Sequence, residues 1–410
     1  MNADNLTTQF CQGLGVALHG PLGLAVSGGG DSMAMLDIAA RVSGVDLHVV
    51  TVNHGLRAEA ADEAAMVARR CAELNIPHRT LHWQHEGIDG NLQDQARRAR
   101  YRLIAEWAAQ HGIPAIALAH TQDDVAETFL MRLSRGAGVD GLAAMSARWD
   151  ADGVTWLRPL LAVGRQDLRA YLTNKGLSWV EDPSNTDPAF LRVRARAALA
   201  SLGIEAETLA SVARNMTTAR DTLRYVAAQA AKRIVRLEAG GLVFDRAALQ
   251  DEQPETARRM IQAAVLFLTG ADYVPRAGKL STFVAEVLAG RQATLYGCIA
   301  LPQGDVTRLT REYNAVRDTV AEPGSLWDGM WRLTTDAPPL ETQIRALGPD
   351  GLLQCPNWRE TGIPRLALLA SPSVWRQETL ISAPVAGLSN GWTATLATNR
   401  VSFAAFLLSH

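Results

Sequence analysis

The sequence predicts an α/β fold with a doubly wound parallel sheet, followed by a helical domain and a small β-rich C-terminal domain. Two observations favour the sheet. Short apolar runs alternate with longer stretches of helical periodicity between residues 12 and 180, which is the order of βαβ units. Polar clusters follow three of these runs, and ligands of such sheets bind beyond the carboxyl ends of the strands. Farther along the chain, long helical stretches predict the helical domain, and short strand-like runs with turns and prolines predict the C-terminal domain.

The elements are predicted in chain order from their apolar periodicity. Strands are expected at Leu22–Val26, Leu47–Val52, His78–Trp83 and Ala115–Ala119. Helices are expected at residues 31–43, 58–74, 91–111, 122–135 and 164–175. The later part contains a long helical stretch, strand-like residues and a segment with linker composition, at Arg214–Glu238, Ala293–Leu295 and Glu322–Ser325. The predicted domains are residues 1–200, 201–322 and 323–410.

Composition sets the broad class of the protein. A chain of 410 residues with 48% hydrophobic and 20% charged residues can bury sizeable cores. The net charge of −2 does not indicate a general nucleic-acid binder, although a local basic face can coexist with a neutral total. The four cysteines never have Cys-x-x-Cys spacing, which favours reduced thiols in the cytoplasm over a zinc or cluster site. No apolar run reaches about 18 residues, so we expect no membrane span.

The segment Ser27-Gly28-Gly29-Gly30-Asp31-Ser32 lies between the first predicted strand and the helix after it. Glycine permits positive φ and close ligand approach, and free N–H groups at a helix start favour a phosphate. Ser27 and Ser32 add hydroxyl groups. A carboxylate beside phosphates needs a cation between them, so Asp31 suggests a Mg²⁺ bridge. The alternative is a glycine-rich turn in which Asp31 or Ser32 is an ordinary N-cap.

Two further polar clusters follow strands, at Asn53–Arg57 and at His120–Thr128. In the second cluster, helix capping by Thr121 or Asp123 and the preference of acids for a first turn explain one or two of the carboxylates. Capping does not explain Asp124 and Glu127, which lie at i, i+3 on one helix face. Two carboxylates so placed can hold Mg²⁺, orient a nucleophile or accept its proton.

Arginines recur in two later stretches. One group lies on the predicted helix 91–111, and the other follows a turn-rich segment: Arg97, Arg98, Arg100 and Arg102, then Arg192, Arg194 and Arg196. A solvated basic face is the simpler interpretation for most of them. The functional alternative is a guanidinium group that reaches a phosphate or an RNA backbone.

Together these motifs resemble a known group of enzymes. The Ser-Gly-Gly-x-Asp-Ser pattern resembles the signature of PP-loop ATP pyrophosphatases, whose sheet is that of the adenine nucleotide alpha hydrolase-like proteins. Within that group the chain resembles the tRNA(Ile)-lysidine synthetases. The matching segments are residues 27–32, 52–57, 120–128, 135–142, 158–161 and 179–185.

The resemblance implies an ATP-dependent ligase acting on isoleucine tRNA with the CAU anticodon. ATP would adenylate the C2 oxygen of the wobble cytidine with release of pyrophosphate, and free L-lysine would then displace AMP. Lysine's amine is protonated at neutral pH, so a base or an ammonium-orienting carboxylate is needed. The implied cofactors are ATP and Mg²⁺.

The resemblance also assigns residues. ATP would bind at Ser27–Ser32. The catalytic candidates are Asp31, Asp124 and Glu127, and the metal candidates are Asp31 and Asp124. Further active-site candidates are His54, Arg57 and His120. The positions that resemble tRNA contacts are Arg100 and Arg192. Val193 departs from the family pattern, which usually has Asn there, and this weakens the assignment of Arg192 alone.

Three other interpretations are weighed against this one. A tRNA thiolase of the same fold would carry Cys-x-x-Cys near the basic helix, and residues 95–102 contain no cysteine. A GMP- or asparagine-synthetase type of enzyme would need a glutaminase domain with an N-terminal Cys nucleophile, which is not present. A non-catalytic RNA-binding protein would not need the three acidic residues. The sequence leaves open whether the chain forms a homodimer and which of Asp124, Glu127 and His54 is the general base.

Overall fold

The computed structural model describes residues 1–15, 20–55, 60–84, 92–181, 187, 189, 191–271, 273–336, 341–397 and 402–409. The chain divides into two compact units, Met1–Arg220 and Asp221–His410. No helix in the described residues is both long and apolar enough to cross a membrane.

The first unit is built on a six-stranded sheet in the order β3-β2-β1-β4-β6-β5. Its strands are β1 (Leu22–Ala25), β2 (Leu47–Asn53), β3 (His78–His82), β4 (Ala115–Leu118), β5 (Arg148–Ala151) and β6 (Val154–Leu157). All neighbouring strands are parallel except β5, which pairs antiparallel with β6 at the edge. The central strands β1 and β4 are apolar and almost fully buried, as expected for a sheet covered on both faces.

Helices cover both faces of this sheet. They are α1 (Ala3–Leu14), α2 (Gly30–Ala39), α3 (Ala60–Glu73), α4 (Leu92–Gln110), α5 (Gln122–Leu133), α6 (Val139–Leu142), α7 (Arg165–Asn174) and α8 (Leu191–Leu202). One apolar core joins the sheet to α1, α2, α3 and α7, and a second joins its other face to α4. The predicted doubly wound sheet is therefore confirmed.

The strand order places a ligand cleft at one point of the sheet. The chain leaves β1 toward β2 on one side, and β4 then pairs with the other side of β1. Connections on opposite sides leave a crevice at the carboxyl ends of these two strands. The glycine-rich turn follows β1 and the segment from His120 follows β4, so both predicted clusters meet there.

The predicted elements of the first unit agree with the structure to within a few residues. The helices α1 and α6 and the β5–β6 hairpin are not among the predicted elements. Arg192, Arg194 and Arg196 lie within the helix α8.

The second unit combines helices with three antiparallel sheets, of five, three and three strands. The long helix α9 (Ala206–Ile234) ends earlier than predicted, because residues 235–238 form a strand. The later helices are α10 (Arg246–Gln250), α11 (Pro254–Thr269), α12 (Ala277–Leu288), α13 (Tyr313–Val316), α14 (Gly348–Leu353), α15 (Arg365–Leu369) and α16 (Phe403–Ser409). Short 3-10 helices lie at Trp358–Thr361 and Pro384–Ala386.

The strands of the second unit are numbered on from the first. They are β7 (Val235–Glu238), β8 (Gly241–Asp245), β9 (Ala293–Leu295), β10 (Cys298–Gln303), β11 (Val306–Arg311), β12 (Leu326–Trp327), β13 (Trp331–Thr334), β14 (Gln343–Ala346), β15 (Pro372–Arg376), β16 (Thr379–Ser382) and β17 (Thr393–Leu396). One apolar core draws side chains from Ala227 to Leu407. The predicted domain boundaries at residues 200 and 322 stay predictions.

Candidate active site

A cavity of about 940 Å³ opens at the carboxyl ends of β1 and β4. It is lined by the glycine-rich turn, by α4, by the start of α5 and by α8. Nearly every predicted site residue that the structure describes lines it: Ser27, Gly29, Gly30, Asp31, Ser32, His54, Arg100, His120, Asp124, Glu127 and Arg192. Arg57 lies outside the described residues.

The glycine-rich turn leaves the start of α2 open to a ligand. Gly28 has φ of +89°, a conformation that favours glycine. Gly29 is the N-cap of α2, and no described side chain caps the helix there. The N–H groups of the first turn therefore face the cavity without side-chain partners, as a phosphate site requires. Outside the turn, the Val180 N–H donates to the Gly28 carbonyl at 3.0 Å.

The two serines of the turn have different roles. The Ser32 hydroxyl donates to the Gly29 carbonyl at 2.9 Å and accepts from the Ser27 N–H at 3.1 Å. Ser32 is buried and uses its hydrogen inside the turn. It therefore shapes the turn. Ser27 is exposed, and its hydroxyl, which lies 3.3 Å from that of Ser32, is the one better placed to reach a ligand.

Asp124 divides its two carboxylate oxygens between capping and the cavity. Its Oδ2 accepts from the Thr121 N–H at 2.8 Å and from the Thr121 hydroxyl at 3.0 Å, which forms the capping box of α5. Its Oδ1 is 3.2 Å from Nη2 of Arg165. The capping and functional interpretations of Asp124 therefore apply to different oxygens of one side chain.

Three carboxylates converge on the guanidinium group of Arg165, and we call this group the carboxylate cluster. Nε of Arg165 donates to Oδ2 of Asp31 at 3.1 Å, and Nη1 donates to Oε1 of Glu127 at 2.9 Å. Asp124 completes the cluster through Nη2. The side chain of Arg165 is 15% exposed and that of Glu127 only 3%. A cation buried among three anions at these distances holds them in one place against their repulsion.

Sequence reasoning missed Arg165. It is the first residue of α7, where the helix dipole disfavours a cation, so its position already called for acidic partners. The start of α7 is held by Asp123, whose Oδ2 accepts from the Arg165 N–H at 2.7 Å. One turn and a half later, the Tyr171 hydroxyl donates to Asp37 of α2 at 2.5 Å. Two polar contacts thus fix α7 relative to α2 and α5.

The pKa shifts follow from this arrangement. Burial raises the pKa of Asp31, and the nearby Arg165 only partly opposes it. Burial alone would raise the pKa of Asp124, but Arg165 and the Thr121 N–H lower it below its ordinary value. Burial disfavours the charge on Arg165, yet the three carboxylates raise its pKa well above the usual range. Asp124 and Arg165 are therefore both charged at neutral pH.

Arginine side chains from α4 and α8 also line the cavity. Arg100 lines it, and its buried Nε has no hydrogen-bond partner among the described residues. Arg192 and Arg196 lie one turn apart on α8 and both line the cavity, whereas Arg194 does not. Nη2 of Arg196 is 2.9 Å from Oε1 of Glu127, a contact that sequence reasoning also missed. The exposed Arg98 and Arg102 pair with acids on their own helix, as a solvated face predicts.

His54 is neutral at neutral pH. Burial and the charge of Arg100 lower the pKa of its imidazole. Its Nδ1 is buried and has no hydrogen-bond partner among the described residues, and its ring meets Trp83 edge-on at 6.0 Å. A neutral imidazole with an unused nitrogen at the cavity wall can accept a proton or a hydrogen bond.

The donor set fits Mg²⁺ at Asp31 better than at Asp124. No group of three or more His, Cys, Asp or Glu side chains in the described part of the chain is arranged to hold a metal ion. Mg²⁺ bound with nucleotide phosphates needs only one or two protein carboxylates. Oδ1 of Asp31 has no partner among the described residues, while both oxygens of Asp124 are already used. Asp124 would have to exchange Arg165 for the metal.

Comparisons with known proteins agree with this geometry. Residues 3–202 match the family described as the PP-loop domain. With the open helix start at the switch point of the sheet, this match defines the class: the chain is a PP-loop enzyme that uses ATP. A tRNA(Ile)-lysidine synthase from Ruegeria pomeroyi is 47% identical over 395 residues, which cover 95% of this chain and 94% of that protein. The chain belongs to the tRNA(Ile)-lysidine synthase family.

Other matches are more distant. A tRNA(Ile)-lysidine synthase from Bradyrhizobium sp. is 40% identical over 289 residues, which cover 66% of this chain and 79% of that protein. Among solved structures, the U34-tRNA thiolase NcsA from Methanococcus maripaludis matches 52% of this chain and 77% of its own, at 16% identity and a TM-score of 0.45. The family resemblance and the fold class expected from the sequence are confirmed.

Proposed function

We propose that this enzyme joins free L-lysine to C2 of the wobble cytidine in the CAU anticodon of isoleucine tRNA, with ATP cleaved to AMP and pyrophosphate. The observation that carries this proposal is that the carboxylate cluster and an open helix start line the same cavity, in a chain of this family. An open helix start suits phosphates, and acidic side chains suit an amine nucleophile.

The reaction has two steps. The C2 oxygen of the cytidine attacks the α-phosphorus of ATP, a P–O bond forms, and pyrophosphate leaves. The ε-amine of lysine then attacks C2, the C2–O bond breaks, and AMP leaves with that oxygen. The lysine ammonium loses one proton to become the attacking amine, and its nitrogen loses a second proton as the C–N bond forms and AMP leaves. The first step turns a poor leaving group into a good one, because negative charge on AMP is spread over its phosphate.

Each group of residues that lines the cavity has its own role in this reaction. The N–H groups at the start of α2 and the Ser27 hydroxyl bind the nucleotide phosphates. Mg²⁺ bound at Asp31 would offset the charge of the departing pyrophosphate. Arg165 holds Asp124 and Glu127 beside the cavity, and the lysine ammonium would take its place to be oriented by these two carboxylates. Arg100 and Arg192 contact the tRNA backbone.

The proton acceptor is assigned by exclusion among the predicted candidates. The ion pair with Arg165 that lowers the pKa of Asp124 also makes it a weak base, and the Glu127 carboxylate is held by Arg165 and Arg196. His54 is neutral and lines the cavity, so we assign it the proton of the attacking amine. The four cysteines are free thiols, which supports the cytoplasmic setting expected from the sequence.

One incubation tests the proposal. The full chain is mixed with ATP, Mg²⁺, radiolabelled lysine and unmodified isoleucine tRNA carrying the CAU anticodon. We expect label in the RNA, with one AMP and one pyrophosphate per lysine. The control tRNA differs only in having uridine at the wobble position. Equal labelling of both tRNAs, or labelling without ATP cleavage, would contradict the proposal.

A further inference from the structure

His120 has a fixed hydrogen-bond partner on one side of its ring. Nε of Arg158 donates to Nδ1 of His120 at 3.0 Å. Arginine keeps its protons at any pH compatible with folding, so this N–H is always a donor. Nδ1 must therefore be the acceptor, and the ring proton must lie on Nε2.

Arg158 is itself held in place from several directions. Its side chain is buried, its Nη1 donates to the Ser146 carbonyl at 2.6 Å, and its guanidinium carbon lies 4.0 Å from the ring centre of Trp149. Tyr101 also interacts favourably with its charge. A guanidinium group with these partners has little freedom to rotate away from His120.

The other nitrogen of His120 is available to a ligand. His120 lines the cavity, and no described residue pairs with its Nε2. The charged groups that act on the ring are Arg158 after β6, Asp124 on α5, Arg100 on α4 and Arg192 on α8. Three of these four are cations, so this wall attracts an anion.

We infer that Arg158 and His120 form a donor dyad: Arg158 holds His120 as the neutral Nε2–H tautomer, and this N–H donates to a phosphate oxygen of the bound nucleotide. Arg158 is a positioning residue, because it acts through His120. The inference deepens the proposed function and rests on it for the identity of the nucleotide. It gives His120, an active-site candidate without a defined role in the sequence, the role of a hydrogen-bond donor.

The pKa of His120 is consistent with this assignment. Burial lowers it, and the charge of Arg158 lowers it further, against a smaller opposing effect of Asp124. A proton on Nδ1 would face the Arg158 N–H and break the hydrogen bond. The ring therefore stays neutral through the pH range in which an ordinary histidine titrates.

Nitrogen NMR of the full chain labelled at histidine tests the tautomer directly. His111 is an internal reference with the opposite arrangement, because its Nδ1 lies 2.8 Å from the Trp107 carbonyl, which can only accept. We expect His120 to show an unprotonated Nδ1 and a protonated Nε2, unchanged between about pH 5.5 and about pH 8. Adding α,β-methylene-ATP should shift the Nε2 signal. A protonated Nδ1, or ordinary titration of His120, would overturn the dyad.

Variants test the donor role. Glutamine places an N–H near the position of Nε2, so His120→Gln should bind α,β-methylene-ATP within about tenfold of the wild type, whereas His120→Leu should lose about a hundredfold. His111→Gln is the matched control and should bind as the wild type does. Equal loss in His120→Gln and His120→Leu would contradict a donor role and favour a base.

The variant Arg158→Met tests whether Arg158 positions His120 or only stabilises the fold. In this variant the His120 signals should titrate and ATP-analogue binding should fall, while His111 keeps its tautomer if the fold is intact. An unchanged His120 tautomer in a folded Arg158→Met protein would refute the role of Arg158. These readouts use neither lysine nor tRNA. Failure to label tRNA with an intact dyad would therefore count against the proposed function alone.

Discussion

Replacing Arg165 by methionine removes the only cation that touches all three members of the carboxylate cluster within the described residues. Methionine is shorter but has a similar volume, so the change removes the charge and most of the reach of the side chain while leaving little empty space. Removing one partner of a buried ion pair costs about 3–5 kcal/mol. We take the lower figure, about 3 kcal/mol, because burial already raises the pKa of Asp31, which can take up a proton in the variant.

This energy corresponds to a measurable change in melting temperature. For a unit of the size of Met1–Arg220, each kcal/mol shifts Tm by about 2–4 °C, so we expect a decrease of about 6–12 °C. Differential scanning calorimetry of the full chain measures it. Arg196→Met is the graded comparison: its side chain contacts the same Glu127 but is 43% exposed, so its loss should cost less than about 1 kcal/mol.

Two further readouts distinguish a positioning role of Arg165 from simple support of the fold. Millimolar Mg²⁺ should raise the Tm of Arg165→Met more than that of the wild type, because a second cation can replace the first. The KM for lysine should rise at least about tenfold, and by more than the KM for ATP. Arg102→Met, on an exposed helix face, is the control for both. A melting temperature within about 1 °C of the wild type, or equal changes in both KM values, would refute the reasoning.

Three other outcomes are expected. Asp31→Asn should abolish tRNA-dependent ATP–pyrophosphate exchange, because it loses the open carboxylate oxygen beside the phosphates; exchange at the wild-type rate would exclude that role. Arg192→Ala should weaken tRNA binding in filter assays and reduce the salt slope by about 1, with little effect on ATP binding; unchanged affinity for tRNA would remove Arg192 from the interface. His78 has a pKa that burial lowers below 6.5, so the unfolded chain binds its proton more readily. Its contribution to stability is therefore present above pH 6.5 and lost as the pH falls below that value. Urea titrations of His78→Gln should show a smaller loss of unfolding free energy on acidification than those of the wild type, and an identical pH dependence in the two proteins would contradict this.

Much of the first unit could be predicted because its signals are local. An apolar run followed by glycines and a helix specifies a strand, a turn and an open helix start without reference to the rest of the chain. The β5–β6 hairpin was missed because Arg148–Ala151 is half exposed at a sheet edge and lacks a continuous apolar run. The secondary structure of the Arg192–Arg196 segment is ambiguous from the sequence, because three alternating arginines fit an exposed strand as well as the start of a helix.

Only those residues of the candidate site that stand in local patterns could be predicted from the sequence. Asp31, Asp124 and Glu127 stand beside recognisable turns and caps, and the carboxyl ends of neighbouring strands must meet. Arg165 has no such neighbour: its partners lie 134, 41 and 38 positions away. The one local indication that Arg165 has acidic partners is its place at the start of a helix, where the helix dipole disfavours a cation.

By itself, the sequence determined the sheet, the glycine-rich turn, the three acidic residues and the family, because each is written in short-range patterns. The tertiary structure decided how those acids are used. It showed that one oxygen of Asp124 caps a helix while the other meets Arg165, and that Arg158 places the proton on His120. These assignments depend on distances between atoms far apart in the chain, which packing sets and local patterns do not contain.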